Sequence, residues 1–244
     1  MYEYDRKYYH YISGGSLASA RVVVPLLREL LPIPPSSVLD VGCGSGAWLS
    51  VWKQQGCQVF GLDGAYVNRD DLLIAADEFF AQDLCEKFVL QRKFDLAQCL
   101  EVAEHLPGKA APGLVQALCR HADIVFFSAA PPGQGGESHV NEQPYSYWRD
   151  LFQANGFTMY DPLRGRLGGH PEVMPWYRYN SFVFVREGVL QEAHLAMADW
   201  RIGPHTNPVD VSPWFYRLRK ALLRQLPVRV GTGLARLKKT LFNP

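Results

Sequence analysis

The segment VLDVGCGSGAWLSVW (38–52) contains the first pattern in the chain that could bind a ligand. A short apolar run ends in Asp40, and glycines then alternate with small residues before a helical stretch begins. A glycine-rich turn between a strand and a helix lets a ligand approach the main chain, and the N-terminus of the helix offers free N–H groups. The alternative is a tight turn with no ligand.

Asp63 ends the second apolar run, where a carboxylate can accept hydrogen bonds from both hydroxyls of a ribose. Asp83 lies 20 residues further along, after a third, weaker run. The spacing G-x-G-x-G also differs from the G-x-G-x-x-G of dinucleotide-binding proteins. Together these residues predict a ribose-containing ligand and disfavour a dinucleotide.

Acid–base chemistry is indicated by the segments EVAEHLP (101–107) and PPGQGGESHVNEQP (131–144), which follow the fourth and fifth apolar runs. His139 is the preferred general base, because a flexible glycine-containing loop presents it and a histidine pKa of about 6.5 suits proton transfer. Glu142 could orient His139 or replace it. His105 is a third catalytic candidate, although a helix-capping or packing histidine after a strand is the favoured interpretation. We predict no metal site, since no H-x-x-x-H or D-x-D pattern occurs.

Residues 162–179 mix arginines, glycines and aromatic side chains. Aromatic faces suit sugars or ring compounds, and arginines suit a phosphate or carboxylate. An ordinary surface loop is the alternative. The residues predicted to bind the substrate are Arg164, Arg166, His170, Trp176, Tyr177 and Arg178.

The elements that must position these residues alternate between apolar runs and helical periods, which predicts a mostly parallel sheet with helices on both faces. The first helix, over 16–31, should kink or split at Pro25. The predicted strands are 38–41, 59–63, 94–100, 123–129, 157–160 and 180–185, with a weak one near 74–80. The other predicted helices are 46–55, 69–76, 109–121 and 145–155.

Four motifs in this order resemble the class I, seven-stranded, Rossmann-like S-adenosylmethionine-dependent methyltransferases: D-V-G-C-G-S-G, G-L-D, Q-D-L and F-D-L-A-Q-C-L-E-V-A-E-H-L-P. The final E-x-x-E-H-L-P is similar to the branch that methylates small molecules. The resemblance covers about residues 16–186. It implies an α/β, doubly wound sheet in the order 3-2-1-4-5-7-6 with the last strand antiparallel. It also implies S-adenosylmethionine as cofactor and S-adenosylhomocysteine as product.

The resemblance assigns roles to individual residues. The glycine loop lies against the methionyl part of the cofactor, Asp40 orients that loop, Asp63 holds the ribose and Asp83 meets the adenine. Tyr8 or Tyr9 is expected to line the site from a tyrosine-rich N-terminal lid, although these tyrosines could instead pack on the core or on a partner chain. The predicted cofactor-binding residues are Tyr9, Asp40, Gly42, Cys43, Gly44, Gly46, Asp63, Asp83, Leu84, Cys99 and Glu101.

The charge distribution separates a body from a tail. Residues 1–211 contain 17 Lys+Arg and 24 Asp+Glu, whereas 212–244 contain eight Lys+Arg and no acid. An acidic body disfavours a broad nucleic-acid interface. Residues 213–244 could contact an anionic membrane, cap the acidic body or contact RNA. The chain is therefore divided into a lid (1–15), a methyltransferase domain (16–186) and a basic amphipathic appendage (187–244).

Five cysteines without a C-x-x-C pair, and no secretory signal, indicate a cytoplasmic protein with peripheral membrane contact as an option. The favoured function is methyl transfer from S-adenosylmethionine to a small polar acceptor, such as a saccharide or a ring hydroxyl. The alternatives are methylation of RNA or protein, and nucleotide binding without methyl transfer. The sequence identifies neither the particular acceptor molecule nor the oligomeric state.

Overall fold

The structure is a computed structural model that describes residues 6–31, 33–189 and 197–225. Its centre is a seven-stranded sheet in the order β3-β2-β1-β4-β5-β7-β6. The strands are β1 (Ser37–Val41), β2 (Gln58–Asp63), β3 (Phe79–Ala81), β4 (Leu96–Leu100), β5 (Ile124–Ser128), β6 (Phe157–Tyr160) and β7 (Phe182–Arg186). β1 to β5 are mutually parallel, and β7 is antiparallel to both β5 and β6. The predicted order and antiparallel last strand are confirmed.

This topology brings distant segments to one edge. In parallel strands the carboxyl ends meet at the same edge of the sheet, so the loops after β1, β2, β4 and β5 are neighbours. β6 is parallel to these strands, and the segment after it also starts at that edge. The antiparallel β7 begins there, because Phe182 pairs with Phe127 near the end of β5.

The helices are α1 (Arg6–Leu30), α2 (Ala47–Gln54), α3 (Ala111–His121), α4 (Tyr145–Gln153), α5 (Arg164–Leu167), α6 (Pro175–Asn180) and α7 (Trp214–Leu223). None of the helices in the described ranges is long and apolar enough to cross a membrane. Two buried clusters cover the sheet, and β5 contributes to both: Phe126 packs in the first with α1 and α2, and Phe127 packs in the second with α3 and α4.

α1 does not split at Pro25, so of the two predicted outcomes, a kink or a split, the split is wrong. A proline inside a helix costs about 3 kcal/mol. Ala20, Val23, Val24 and Leu27 are wholly buried around it, and full burial of each larger apolar side chain contributes about 1.5–3 kcal/mol. Packing therefore outweighs the missing hydrogen bond. The same helix runs through residues 15 and 16, where the lid was expected to end.

The helix predicted over 69–76 is wrong. Two short 3-10 turns, 69–71 and 76–78, occupy this segment instead, and the residues between them contact the glycine loop. Leu73 N–H donates to Ser45 O at 2.8 Å, and Ile74 lies directly over Gly46. Residues 162–179 likewise are not one irregular loop, since they contain α5 and most of α6.

Candidate active site

The glycine loop is a main-chain cradle whose shape excludes side chains. Gly42, Gly44 and Gly46 have φ of +86°, +55° and +80°, in the left-handed region that favours glycine. A Cβ on Gly42 would lie 2.3 Å from Val102 Cγ2. The N–H groups of Gly42 and Cys43 both donate to Leu62 O, at 2.7 and 3.1 Å, which ties the loop to β2.

Asp63 lies where β2 ends and binds the glycine loop through its carboxylate. Oδ2 accepts from Gly44 N–H at 2.7 Å, and Oδ1 accepts from Gly64 N–H at 2.6 Å and from the Tyr66 hydroxyl. Burial raises the pKa of Asp63, and these hydrogen bonds oppose the shift. The structure thus places the predicted ribose acceptor beside the loop, and it adds Tyr66, which the sequence analysis missed.

Asp40 lies beneath the loop and is only 3% exposed. Gln98 Nε2 donates to Asp40 Oδ2 at 2.8 Å, and Trp52 Nε1 donates to Gln98 Oε1 at 2.8 Å. Burial raises the pKa of Asp40 to about 7, although the Gln98 hydrogen bond opposes this and Asp63 adds to it. This chain of buried polar groups supports the loop from below.

The Asp83 segment is brought next to Asp63, because Gln82 N–H donates to Asp63 O at 2.7 Å. Asp83 itself is exposed, and its Oδ1 accepts from Cys85 N–H at 2.9 Å. Leu84 is buried in the second core cluster. The segment that follows β3 therefore lies beside Asp63, as the resemblance implied, whereas the Leu84 side chain packs in the core.

The two predicted cofactor cysteines direct their side chains into the protein, so their contact with a cofactor stays a prediction for the main chain. Cys43 Sγ would lie 2.7 Å from a Cβ on Gly61, so the thiol fills space behind the loop. Cys99 is wholly buried in the second core cluster. Only the main chain of these residues could face a ligand. Burial also raises the pKa of both thiols well above the usual value, which disfavours the thiolate form.

Glu101 follows β4 and is the centre of a second polar group. Its φ of +55° is unusual for a residue with a side chain. Oε2 accepts from Gln134 Nε2 at 2.9 Å, and Oε1 accepts from Asn180 Nδ2 at 3.2 Å. Burial raises the pKa of Glu101, and these two amides oppose the shift. Tyr145 completes the group by donating to Asn180 Oδ1 at 2.9 Å.

The sequence analysis missed Gln134, Tyr145 and Asn180. A signal for Asn180 was available, because an antiparallel last strand must begin at the edge where the parallel strands end. The residue that opens the NSFVFV run is thereby placed at the site.

His139 and Glu142 form the predicted pair. Their Nδ1 and Oε1 atoms are 2.8 Å apart. Gly133 and Gly135 donate their N–H groups to the two oxygens of Glu142, each at 2.7 Å. Burial works against ionisation of Glu142, yet the hydrogen bonds from His139 and the two glycines hold its pKa below the usual value. An ionised Glu142 therefore fixes Nδ1 of His139 as the protonated nitrogen and leaves Nε2 as a base.

His105 packs against His139 with its ring edge-on and the centroids 4.9 Å apart. Burial lowers the pKa of His105 to about 4, and the charge of His139 lowers it further. A nitrogen with this pKa is a weak base at neutral pH. Of the two histidines, His139 has the better geometry for proton transfer.

Glu104, His105 and His139 bring ligand-type atoms within 4.8 Å of one another. Burial raises the pKa of Glu104 well above its usual value, and Glu101 raises it further. Its Oε2 is a buried oxygen without a hydrogen-bond partner. A proton shared toward Glu101 would satisfy this oxygen, and so would a divalent cation. Whether a proton or a cation satisfies this oxygen of Glu104 therefore decides whether the prediction of no metal site holds.

Two residues predicted to bind substrate instead hold the fold together, which corrects those assignments. Arg164 is 2% exposed, pairs with Asp161 at 2.7 Å and lies 4.0 Å from the ring centre of Phe182. Tyr177 is 5% exposed, and its hydroxyl is 2.9 Å from Ser16 Oγ on α1. Both are enclosed by protein and cannot reach a substrate.

The other four predicted substrate residues lie further out. Arg166 stacks on Trp200, and His170 pairs with Glu172 at 3.0 Å. Arg178 donates to Val173 O, and Trp176 packs partly buried on the first core cluster. Each contact is local, and none of these residues joins the Glu101 group in the described contacts. Tyr9 belongs to α1, but its side chain lies outside the described residues.

A family model described as a methyltransferase domain matches residues 16–162, which is more than half of the chain. The chain belongs to this methyltransferase family. The resemblance inferred from the motifs is thereby confirmed for family and fold. The finer likeness to the E-x-x-E-H-L-P branch stays a prediction.

A ubiquinone biosynthesis O-methyltransferase of Pseudomonas fluorescens (strain SBW25) is 29% identical over 130 residues, 50% of this chain and 51% of that protein. This methyltransferase chain spans about half the length of the curated relatives it matches. The structure of a sugar N-methyltransferase from Streptoalloteichus sp has a TM-score of 0.54 at 19% identity, covering 69% of this chain and 87% of that chain.

A second solved structure is an amino pentose methyltransferase from Micromonospora echinaspora with bound S-adenosylmethionine. It has a TM-score of 0.53 at 20% identity and covers 76% of this chain and 99% of that chain. At these identities, the two likenesses show a shared fold.

Proposed function

We propose that this methyltransferase moves the methyl group of S-adenosylmethionine to a hydroxyl of a small polar acceptor. One observation carries the proposal: His139, oriented by an ionised Glu142, follows β5 on the sheet edge that also carries the glycine loop. A main-chain cradle and a poised base on one edge suit transfer to a nucleophile that must lose a proton.

The cofactor side fits the proposed ligand. Gly42 allows the Val102 side chain to pack directly on its main chain, and its left-handed φ of +86° sets the turn of the loop. α2 has no side-chain cap at Gly46, and its first N–H groups can receive a carboxylate or another electron-rich group. Asp63 can accept from ribose hydroxyls once the Tyr66 hydroxyl yields its place. When bound, S-adenosylmethionine supplies an electrophilic methyl group on a sulfonium.

The residues of this chain then have defined tasks. His139 Nε2 accepts the proton of the acceptor hydroxyl while the new O–C bond forms and the C–S bond breaks. Glu142 stabilises the imidazolium through its hydrogen bond to Nδ1. Gln134 and the buried Asn180 hold Glu101 in place, and the partly exposed Glu101 and Gln134 can contact a polar ligand. The activities named for the relatives, in ubiquinone biosynthesis and on sugars, support a small acceptor.

The direct test is calorimetric titration of the purified protein with S-adenosylmethionine, S-adenosylhomocysteine and NAD. We expect saturable binding of the first two and none of NAD. Asp63→Asn should weaken binding by about tenfold or more, because a charge-assisted acceptor is lost. Asp70→Asn, on an exposed turn after β2, is the matched control. Absence of binding, or equal loss in both variants, would overturn the proposal.

A further inference from the structure

α7 lies against the loop that carries the candidate base. Arg219 Nη1 donates to Gln134 O at 2.7 Å, and Arg224 Nε donates to Pro132 O at 2.7 Å. A Cβ on Gly133 would lie 2.2 Å from Lys220 O, so the helix main chain touches the loop directly. Gly133 is also one of the residues that bind Glu142. One side of α7 is therefore part of the support of His139.

This inner side is anchored by specific contacts. Lys220 is 5% exposed, and its Nζ lies 2.5 Å from Asp210 Oδ2. The ring of Tyr216 packs on Tyr179, with centroids 5.8 Å apart. Leu223 is half-buried over Gly135. The orientation of the helix on the body is thereby fixed.

The outer side of α7 presents large apolar side chains to solvent. Trp214, Phe215, Leu218 and Leu222 are 69%, 53%, 53% and 63% exposed. Because successive helical residues turn by about 100°, these four side chains share one arc of about 100°. Arg217 and Arg219 border that arc on its two sides. An apolar stripe between cations is the pattern of a helix that lies in a membrane interface.

The charge of the surrounding segment selects the partner. Residues 212–244 contain eight Lys+Arg and no Asp or Glu, and four of those cations follow residue 225. A second copy of the chain in a two-fold contact would set this cationic segment against itself. A nucleic acid would neutralise the cations but leave the leucines and Trp214 in water. An anionic bilayer leaflet satisfies both the apolar arc and its border.

We infer that α7 docks the protein on an anionic membrane leaflet, with Trp214, Leu218 and Leu222 entering the acyl boundary and Arg217 among the headgroups. The contact is peripheral. The His139 loop and the leaflet then lie on opposite sides of one helix, so docking holds the acceptor side of the candidate site close to the membrane. This inference needs neither a bound cofactor nor methyl transfer.

The test is co-sedimentation of the full chain with phosphatidylcholine vesicles that contain or lack phosphatidylglycerol. We expect binding about tenfold or more tighter to the anionic vesicles, weakened by salt. The double variant Leu218→Glu/Leu222→Glu should lose this binding. The control Ile33→Glu/Val89→Glu makes the same charge change at similarly exposed apolar positions away from α7 and should bind as the wild type does.

Lipids brominated near the top of the acyl chain report insertion directly. They should quench part of the tryptophan fluorescence of the wild type, and Trp214→Phe should lose that part. Several outcomes would overturn the inference: equal binding to both vesicle types, equal loss in the α7 and control variants, or a dimer that Leu218→Glu/Leu222→Glu dissociates. Because the assay contains no S-adenosylmethionine, its failure leaves the proposed methyl transfer untouched.

Discussion

The cofactor side and the acceptor side of the sheet edge are built from different kinds of contact. On the cofactor side, main-chain atoms of the glycine loop meet one carboxylate, and the hydrogen bond from Gly44 to Asp63 joins residues 19 apart in sequence. On the acceptor side, the group around Glu101 is built mainly from side chains that bind other side chains. Glu101 contacts Gln134 and Asn180, which are 33 and 79 residues away.

The two constructions should respond differently to change. A main-chain cradle depends on φ and on the absence of a Cβ, so added atoms damage it. A side-chain group depends on particular polar atoms and on the elements that bring them together, so a substitution that removes a polar atom should disrupt it.

His139→Ala should reduce kcat by about 10²–10⁴-fold, the usual contribution of a general base. The affinity for S-adenosylmethionine should stay unchanged, because no described contact joins His139 to the glycine loop. Steady-state kinetics and calorimetry on one preparation measure both quantities. His170→Ala is the matched control, since His170 also pairs with a glutamate but on an exposed surface. Unchanged turnover in His139→Ala would remove this residue from the mechanism.

Gly42→Ala should weaken S-adenosylmethionine binding by about 10–100-fold, because the new Cβ and Val102 cannot both keep their places. Gly56→Ala is the control: Gly56 has a similar φ of +85° but open space around it. It should lose about 1 kcal/mol of stability through backbone strain and keep its affinity. Adding Val102→Ala to Gly42→Ala should recover part of the binding. A failure to recover any would show that strain, and not the clash, disables the loop.

Asp40 should make the free energy of unfolding fall as pH rises from 5 to 8. Its pKa is about 7 in the folded protein, against 3.8 for an unperturbed aspartate. The folded state therefore holds a proton that the unfolded state releases, and this stabilisation is lost as pH passes the folded value. Asp40→Asn should remove about 2 kcal/mol of that dependence, measured by urea unfolding at each pH.

Asp95→Asn is the control for this titration. Hydrogen bonds from Ser36 and Ser37 outweigh burial and lower the pKa of Asp95. Its contribution to the free energy of unfolding therefore changes only at acidic pH, below the range from 5 to 8. The variant should lose stability by the same amount at every pH from 5 to 8. An Asp40→Asn variant with the wild-type slope would contradict the assignment.

Tyr66→Phe should strengthen S-adenosylmethionine binding by about two- to fivefold. The Tyr66 hydroxyl donates to Asp63, and a ribose must compete with that bond. Tyr147→Phe on α4 is the control. Weaker binding in Tyr66→Phe would mean that the hydroxyl orients Asp63 for the ligand and does not compete with it.

Chelation should have the smallest effect. If a proton satisfies Glu104, then dialysis against EDTA leaves turnover unchanged, and metal analysis of the purified protein finds less than one equivalent of divalent cation. A loss of turnover that Mg²⁺ or Zn²⁺ restores would instead assign the Glu104, His105 and His139 cluster to a cation.

The sequence alone determined the parts that depend on neighbours in the chain. Glycines 42, 44 and 46 and the acid at 63 could be recognised because turn geometry and strand ends are local, whereas the sheet order came only from the resemblance that the four motifs carry. The His139 and Glu142 pair was also accessible, since the two residues are three apart. Local preference failed at 69–76, where Ser45 and Gly46 hold the segment out of a helix.

Folding decided which polar residues are enclosed in the core and which gather around Glu101. Arg164, Tyr177 and Cys99 have the chemistry of site residues but are enclosed by the core, whereas Gln134 and Asn180 meet at Glu101 only because β7 starts at the edge where β4 and β5 end. Residue type records what a side chain can do. Its burial and its partners depend on contacts between segments far apart in the chain, and those exist only once the sheet has assembled.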